Sequence, residues 1–440
     1  MGGRRRRRLP RDPVEVGIRS LSHEGRGVAS IDGKTVFVQG ALPGERVRFR
    51  YTRCCRRFDE GVAVDVLQAS PDRVEPPCAA YAVCGGCSLQ HLDPERQLAT
   101  KQASLLDLLR HVGPVEPEAV LPPLRGPLLG YRRRARLAVR KVEAKGRVLV
   151  GFRERSSPYV ADMHACEVLD PRFGRLLDPL SELIGTLSVA DAIPQIELAA
   201  GDDRAALVIR HLRPLTDADR SRLVAWGRER DLALFLQPGD PWSLEPLDGA
   251  APDLVTEVDG FRFRFGPTDF VQVNAELNRS MVAHVLALLA PEAEETVLDL
   301  FCGSGNFSLP LSRRAGLVIG VEGEAALVQR ARSNAGDNGV ANVRFHQADL
   351  ADQPDADRWT DGRAIDRILL DPPRSGAEAV LAELARLEPK RVVYVSCNPS
   401  TLARDAGTLV HQHGFRLRHA GVMDMFPHTA HVESVAVFER

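Results

Sequence analysis

Between residues 296 and 397 the chain alternates short, nearly all-apolar runs with amphipathic stretches, and this restricts the fold more than any other feature. The runs are TVLDLFCG (296–303), LVIGVEG (317–323), NVRFHQAD (342–349), RILLDPP (367–373) and RVVYVSC (391–397). Amphipathic stretches at 306–314, 324–338 and 377–388 lie between them, and one at 400–413 follows the fifth. Strands with so little polar alternation are buried on both faces, which requires a parallel sheet covered by helices on both sides. Two further runs, RLRHAGVMD (416–424) and HVESVAVF (431–438), have no helical pattern between them and read as a hairpin. The predicted fold class for residues 259–440 is α/β, a Rossmann-like doubly wound sheet closed by that hairpin.

The whole chain has 440 residues, enough for two or three domains. Its net charge of −1 conceals an asymmetry: residues 1–57 hold fifteen Lys or Arg against five Asp or Glu. Such a basic end predicts a nucleic-acid partner or another anionic surface. No apolar run approaches the length of a membrane span, and Arg4–Arg8 is not followed by the apolar segment of a secretory signal. Eight cysteines are too few for a disulfide scaffold. The chain therefore reads as cytoplasmic, with no membrane partner.

Residues 1–10 are expected to form a basic arm. From 11 to 70 the pattern is short alternating strands punctuated by glycine, which predicts a small β-barrel suited to RNA or single-stranded nucleic acid. Gly25-Arg26-Gly27-Val28-Ala29 followed by VFVQGALPGERV (36–47) resembles the TRAM domain, an OB-like RNA-binding module. Residues 71–258 predict a central α+β domain with a helix over 95–112 and an antiparallel sheet built from 131–141, 147–154, 196–201 and 205–211. The run YRRRARLAVRK (131–141) alternates basic and apolar residues, so it reads either as a face that touches phosphates or as a solvated edge strand. The same domain carries Cys78-x5-Cys84-x2-Cys87, with Cys166 the natural fourth thiol. Four thiolates suit either an iron-sulfur cluster or zinc. Cys54 and Cys55 match no ligand pattern.

The stretch LDLFCGSGNF (298–307) turns the first apolar run into a Gly-rich loop, where Gly303 and Gly305 permit a tight turn and close approach of a ligand. Glu322 ends the second run, placed to accept hydrogen bonds from ribose hydroxyls, and Asp349 ends the third, within reach of an adenine amino group. These strand ends look like a site for S-adenosylmethionine (SAM). Asp299, inside the strand, reads as an orienting residue for the loop, and Cys302 as packing. Asp371-Pro372-Pro373-Arg374 ends the fourth run and resembles the Asp/Asn-Pro-Pro motif of base and amine methyltransferases. Paired prolines fix the backbone there. Cys397 ends the fifth run, so Asp371 and Cys397 are expected to flank one pocket. Uracil C5 is too weak a nucleophile to take a methyl group directly. Thiolate addition at C6 makes an enolate that attacks the methyl donor from C5, after which a base removes the C5 proton and the thiolate leaves. Glu433 in FPHTAHVES (426–434) supplies a candidate base.

DPPRSG (371–376), VSCNPSTLARD (395–405) and MFPHTAHVES (425–434) together resemble the RNA 5-methyluridine methyltransferases. The resemblance implies a class I SAM-dependent methyltransferase fold, with Cys397 as nucleophile and Glu433 as proton acceptor. It further implies that Gln272 of TDFVQVN (268–274) contacts SAM, with Phe301, Asn306, Glu322, Asp349 and Asp371. It also decides between metals, because the branch that modifies large-subunit rRNA carries a [4Fe-4S] cluster in this cysteine arrangement. Cys78, Cys84, Cys87 and Cys166 are then its ligands. His428 and His431 as a zinc pair would lack a third ligand. The implied partner is 23S rRNA, at uracil 1939, with a tRNA T-loop uridine or another 23S uridine as the alternative, and the enzyme is expected to be a monomer. No Lys, Arg or His is adjacent to Cys397 in sequence, so nothing in the sequence shows what activates the thiol.

Overall fold

The computed structural model describes residues 9–10, 12–239, 243–249, 253–352 and 354–440. The expected basic arm at Arg4–Arg8 lies outside the described residues. The chain forms two compact units, residues 1–104 with 426–431, and residues 105–425 with 432–440.

In the first unit six strands form one sheet, in which Lys34–Gln39 pairs parallel to Phe58–Gln68 and the other pairs are antiparallel. The short alternating runs form these strands because every second residue enters one small core, built on Val36, Val38, Val47 and Phe49. Gly61 is required there: a Cβ would stand 2.3 Å from the Phe49 ring. Arginines of the outward face partly pair with acids, Arg46 with Glu15 and Arg48 with Asp65. Cys54 and Cys55 end the hairpin, where Cys55 N–H donates to Asp59 Oδ1 at 3.1 Å.

Residues 426–431 belong to this unit through backbone contacts. Ser88 N–H and Leu89 N–H both donate to the His428 carbonyl at 2.9 Å. His428 N–H donates to Oε1 of the buried Gln97 at 2.9 Å, and Ala430 N–H to Ser88 Oγ at 2.9 Å. Ala430 also packs on the apolar cluster of Leu42, Leu89 and Leu92.

The second unit contains two large sheets. In the central one the strand order is Glu245–Pro246, Leu232–Pro238, Ala205–His211, Gln195–Ala200, Arg134–Val142, Arg147–Gly151. The four expected runs do pair antiparallel, and the correction is an addition: Leu232–Pro238 extends the sheet parallel to Ala205–His211, joined by the crossover helix Asp217–Glu229. That helix starts at a capping box in which Thr216 and Asp219 satisfy each other's backbone N–H groups. A second correction concerns 131–141. The strand Arg134–Val142 is not an edge, since it pairs with Gln195–Ala200 on one side and Arg147–Gly151 on the other.

The second large sheet contains the seven predicted runs as strands Thr296–Leu300, Leu317–Glu322, Val343–Gln347, Arg367–Leu370, Arg391–Ser396, Arg416–Met423 and Glu433–Glu439. Counted in that order they lie as third, second, first, fourth, fifth, seventh, sixth, with Ala119–Val120 added at the last edge. The first five are parallel; the seventh is antiparallel to both neighbours. The order reverses between the first and fourth strands, which opens the crevice where such sheets bind ligands. The expected hairpin exists, but its second strand is inserted beside the fifth.

The opposite end of this sheet is fastened by Glu295. Its carboxylate accepts from Arg367 Nε at 2.7 Å, Lys390 Nζ at 2.9 Å and Glu292 N–H at 3.0 Å. These partners outweigh the burial that opposes ionisation and hold its pKa down to about 2. A carboxyl depressed in the folded state stabilises above its ordinary range, and that stabilisation disappears as pH falls through the folded value. Glu295→Gln is expected to destabilise the protein by about 3 kcal/mol at pH 7, since it leaves the buried Arg367 without its carboxylate. The gap between variant and wild type in urea unfolding should narrow as pH falls from about 4.5 toward about 2.

Candidate active site

The Gly-rich loop leaves the first strand through three positive-φ residues, Phe301 (62°), Gly303 (56°) and Gly305 (92°). A Cβ on Gly305 would meet Leu309 Cδ1 at 2.8 Å, so both conformation and space require glycine. The loop is tied to the second strand by Cys302 N–H to the Val321 carbonyl at 3.1 Å and Gly303 N–H to Glu322 Oε2 at 3.1 Å. Glu322 Oε1 accepts from Glu324 N–H at 3.0 Å. Each carboxylate oxygen retains a lone pair for a ligand hydroxyl. Asp299 is fully buried and accepts the Ser308 hydroxyl through Oδ2, while its Oδ1 has no hydrogen-bond partner among the described residues. Burial, opposed by that hydrogen bond and aided by the charges of Asp371 and Glu322, pushes its pKa up to about 7. Cys302 is buried and its thiol is held well above the usual range by the same burial.

The other residues expected at the cofactor are distributed around this loop. Asn306 exchanges two amide hydrogen bonds with Asn278, each 3.0 Å. Asp349 lies just beyond the third strand and lines a cleft of about 320 Å³ with Arg332, His346 and Trp359. Gln272 is half-buried in a segment without regular structure, and its carbonyl accepts from Arg133 Nε at 3.1 Å. Arg133 is thus turned inward, its side chain 4% exposed, rather than offered to phosphates. Burial lowers its pKa to about 10.

Asp371 leaves the fourth strand, and its N–H donates to the Leu300 carbonyl at 3.3 Å, which places it beside the start of the Gly-rich loop. Cys397 leaves the fifth strand. Asn398 Oδ1 accepts from Ser400 N–H at 3.1 Å and caps helix Pro399–His411, with Pro399 in the first turn. Asn398 Nδ2 donates to the Arg374 carbonyl at 2.9 Å, joining the turns after the fourth and fifth strands. Ser396 pairs with Ser434 across the fifth and seventh strands. Cys397 is the next residue after Ser396 and Glu433 the one before Ser434, and the charge of Glu433 acts on the Cys397 thiol.

The electrostatics of this group are consistent. Burial, with the negative charge of Asp371, pushes the Glu433 carboxyl up to about 8, and Arg374 opposes it. Burial, then the charges of Glu433 and Asp371, pushes the Cys397 thiol up to about 11, again opposed by Arg374. Desolvation pushes Asp371 up to about 7. Arg374, whose charge opposes both shifts, is the residue that reading by sequence neighbours missed. It lies 23 positions before Cys397, and only the DPPR turn hinted at it. The site can therefore offer one thiol and one carboxyl to the same small ring, next to a loop built to hold a cofactor.

The cysteine loop is less complete. Cys84 is buried, Cys78 and Cys87 are partly so, and Gly86 N–H points at Cys84 Sγ at 3.4 Å. Among the described residues no group of three or more Cys, His, Asp or Glu side chains is gathered as a metal site.

Residues 253–440 match the family described as tRNA (Uracil-5-)-methyltransferase, and residues 7–64 match the TRAM domain. A protein of Alkalilimnicola ehrlichii named 23S rRNA (uracil(1939)-C(5))-methyltransferase RlmD is 57% identical over 446 residues, covering 100% of this chain and 99% of the relative. The protein of the same name from Methylococcus capsulatus is 52% identical, with 100% of both chains covered. The crystal structure of the Pyrococcus abyssi tRNA (uracil-54, C5)-methyltransferase in complex with S-adenosyl-L-homocysteine superposes with a TM-score of 0.75 at 26% identity, covering 96% of this chain and 99% of that one. With its sheet order, its Gly-rich loop and full-length identity above one half to such relatives, the chain belongs to the RlmD family of RNA uracil-C5 methyltransferases.

Proposed function

We propose that this protein transfers the methyl group of SAM to C5 of uracil 1939 in 23S rRNA. The observation that supports this chemistry is the register of Ser396 on Ser434, from which Cys397 and Glu433 follow as the adjoining residues of the two strands. The rRNA target follows the names of the full-length relatives at 52–57% identity. At 26%, the likeness to a tRNA enzyme supports the shared fold and reaction rather than a tRNA target.

In this reading the TRAM barrel and the central sheet bind RNA largely through phosphates and shape, and the target uridine leaves its stack to enter the pocket. Cys397 Sγ bonds to C6 of the uracil, and the electron pair displaced from the C5–C6 double bond forms an enolate. C5 then takes the methyl group, and S-adenosylhomocysteine departs. Glu433 removes the C5 proton, and the returning electron pair expels the thiolate. Arg374 is the cation that favours the ionised forms of both groups. Gln272, Phe301, Asn306, Glu322, Asp349 and Asp371 are the proposed SAM contacts. The protein is proposed to act as a monomer; among its described residues no helix is long and apolar enough to cross a membrane.

A [4Fe-4S] cluster on Cys78, Cys84, Cys87 and Cys166 is part of the proposal. The donor chemistry fits. Three thiols share ten residues, two glycines separate Cys84 from Cys87, and a backbone N–H already points at one sulfur. Cys166 is assigned as fourth ligand from the sequence pattern. A bound cluster would supply a covalent staple, since the methyl transfer consumes no electrons.

Three outcomes test this reading. Cys397→Ala should form no covalent adduct with RNA carrying 5-fluorouridine at the target, whereas Glu433→Gln should accumulate adduct with natural RNA and lose about 100-fold or more in turnover. Denaturing gels of enzyme with labelled RNA report both, and adduct in the alanine variant sinks the mechanism. Both raised pKa values keep the reactive groups neutral at low pH, so kcat/KM should rise with pH through about 8, and that inflection should disappear in Glu433→Gln. Anaerobically purified protein should contain iron and acid-labile sulfide; stoichiometric zinc without iron would refute the cluster.

A further inference from the structure

The segment Thr268–Val273 has no regular structure, yet its carbonyls are taken by two consecutive arginines of the central sheet. Arg133 N–H donates to the Val273 carbonyl at 2.9 Å and Arg133 Nε to the Gln272 carbonyl at 3.1 Å. The guanidinium of Arg134 donates through Nη1 and Nη2 to the carbonyls of Asp269 and Thr268. Arg133 is itself fixed, since Nη1 donates to Thr256 Oγ1 at 2.9 Å and approaches Asp202 Oδ1 at 3.4 Å. Arg134 lies 3.7 Å from Glu197 Oε2. Asp269 holds the same turn from the other side, accepting Gly266 N–H at 2.7 Å and pairing with Arg330 at 3.1 Å.

Four of the six carbonyls in this segment are thus engaged, three of them by planar, charged guanidinium donors and that of Val273 by a backbone N–H. A guanidinium fork restrains two acceptors at a fixed angle, which a lysine cannot reproduce. Phe270, in the middle of the segment, remains 68% exposed. The backbone is therefore held by these donors beside the exposed Phe270, while Val271 packs on the apolar cluster of Phe235, Leu254 and Phe265.

We propose that Arg133 and Arg134 are positioning residues that fix Thr268–Val273, and with it Gln272, for SAM binding. They are not contacts to RNA phosphate. This rests on Gln272 being a SAM contact.

The test compares Arg134→Lys, Arg134→Gln, Arg133→Lys and Gln272→Ala with wild type. SAM affinity is measured by calorimetry, steady-state constants by methyl transfer, and binding to a 23S rRNA fragment at several salt concentrations. Both Arg134 variants should weaken SAM binding about tenfold or more, the equivalent of one lost charge-assisted hydrogen bond. KM for SAM should rise in parallel while kcat at saturating SAM stays within about threefold, and the salt slope of RNA binding should not change. Arg133→Lys should do the same, with its melting temperature recorded because the group is buried. Unchanged SAM affinity in the Arg134 variants overturns the proposal if Gln272→Ala has weakened it. RNA affinity that falls together with a salt slope reduced by about one overturns it in favour of a phosphate contact. Unchanged SAM affinity in Gln272→Ala removes the reading of Gln272, and the proposal with it.

Discussion

The antiparallel pairing of the last strand with the fifth is the constraint on which the reactive geometry depends. In a purely parallel sheet, neighbouring strands deliver only their carboxyl ends to the ligand crevice. Inserting Glu433–Glu439 in the opposite direction brings the amino end of a strand to that rim. A residue from the start of one strand thereby faces a residue just past the end of another. Sliding the pairing by one residue would turn Glu433 to the other face of the sheet, so the thiol and the carboxyl are only as well placed as Ser396 on Ser434.

The same burial that fixes this register sets the chemistry. Asp371, Asp299 and Glu433 are all pushed toward neutrality, and Cys397 is pushed toward the thiol. A cluster of ionised acids would repel the electron-rich enolate that forms beside it. Holding Asp371 and Asp299 near neutrality limits that repulsion, while Arg374 opposes the shifts of Glu433 and Cys397 and favours the ionised forms the reaction uses. The cofactor loop obeys similar logic. Phe301 is the strained left-handed residue of this loop, Gly303 and Gly305 adopting that region without a Cβ penalty, and the loop is held because Val321 and Glu322 bind its N–H groups directly.

Much of this was legible in the sequence. Seven apolar runs became seven strands, because burial on both faces removes any alternative pattern. The three motifs after residue 370 marked the rim, because chemistry needs fixed residue types at fixed turns. What was not legible has one cause: the pattern records which residues are buried, not what buries them. Alternation in 131–141 could not show that Arg133 turns inward to carbonyls more than a hundred residues away. The hairpin was readable, but its insertion beside the fifth strand was not, since both edges of that strand are equally apolar. Arg374 escaped for the same reason, because its influence on Cys397 crosses space and not sequence. The parallel pair in the central sheet depended on a crossover helix whose pattern was weak, with polar residues on most of its surface.

The return of Phe426–His431 to the first unit ties the core of that unit to the far part of the sequence. The apolar cluster of Leu42, Leu89 and Leu92 takes Ala430 as a member, and Ser88, Leu89 and Gln97 spend their hydrogen bonds on His428 and Ala430. All of these tail residues lie within the final fifteen of the chain. The first unit is therefore completed by residues more than three hundred positions further along the sequence. A chain cut before residue 426 would lose both the strand that carries Glu433 and the groups that close the first unit. Damage to this short segment would thus be felt in two places at once, in the core of the first unit and at the strand that begins with Glu433.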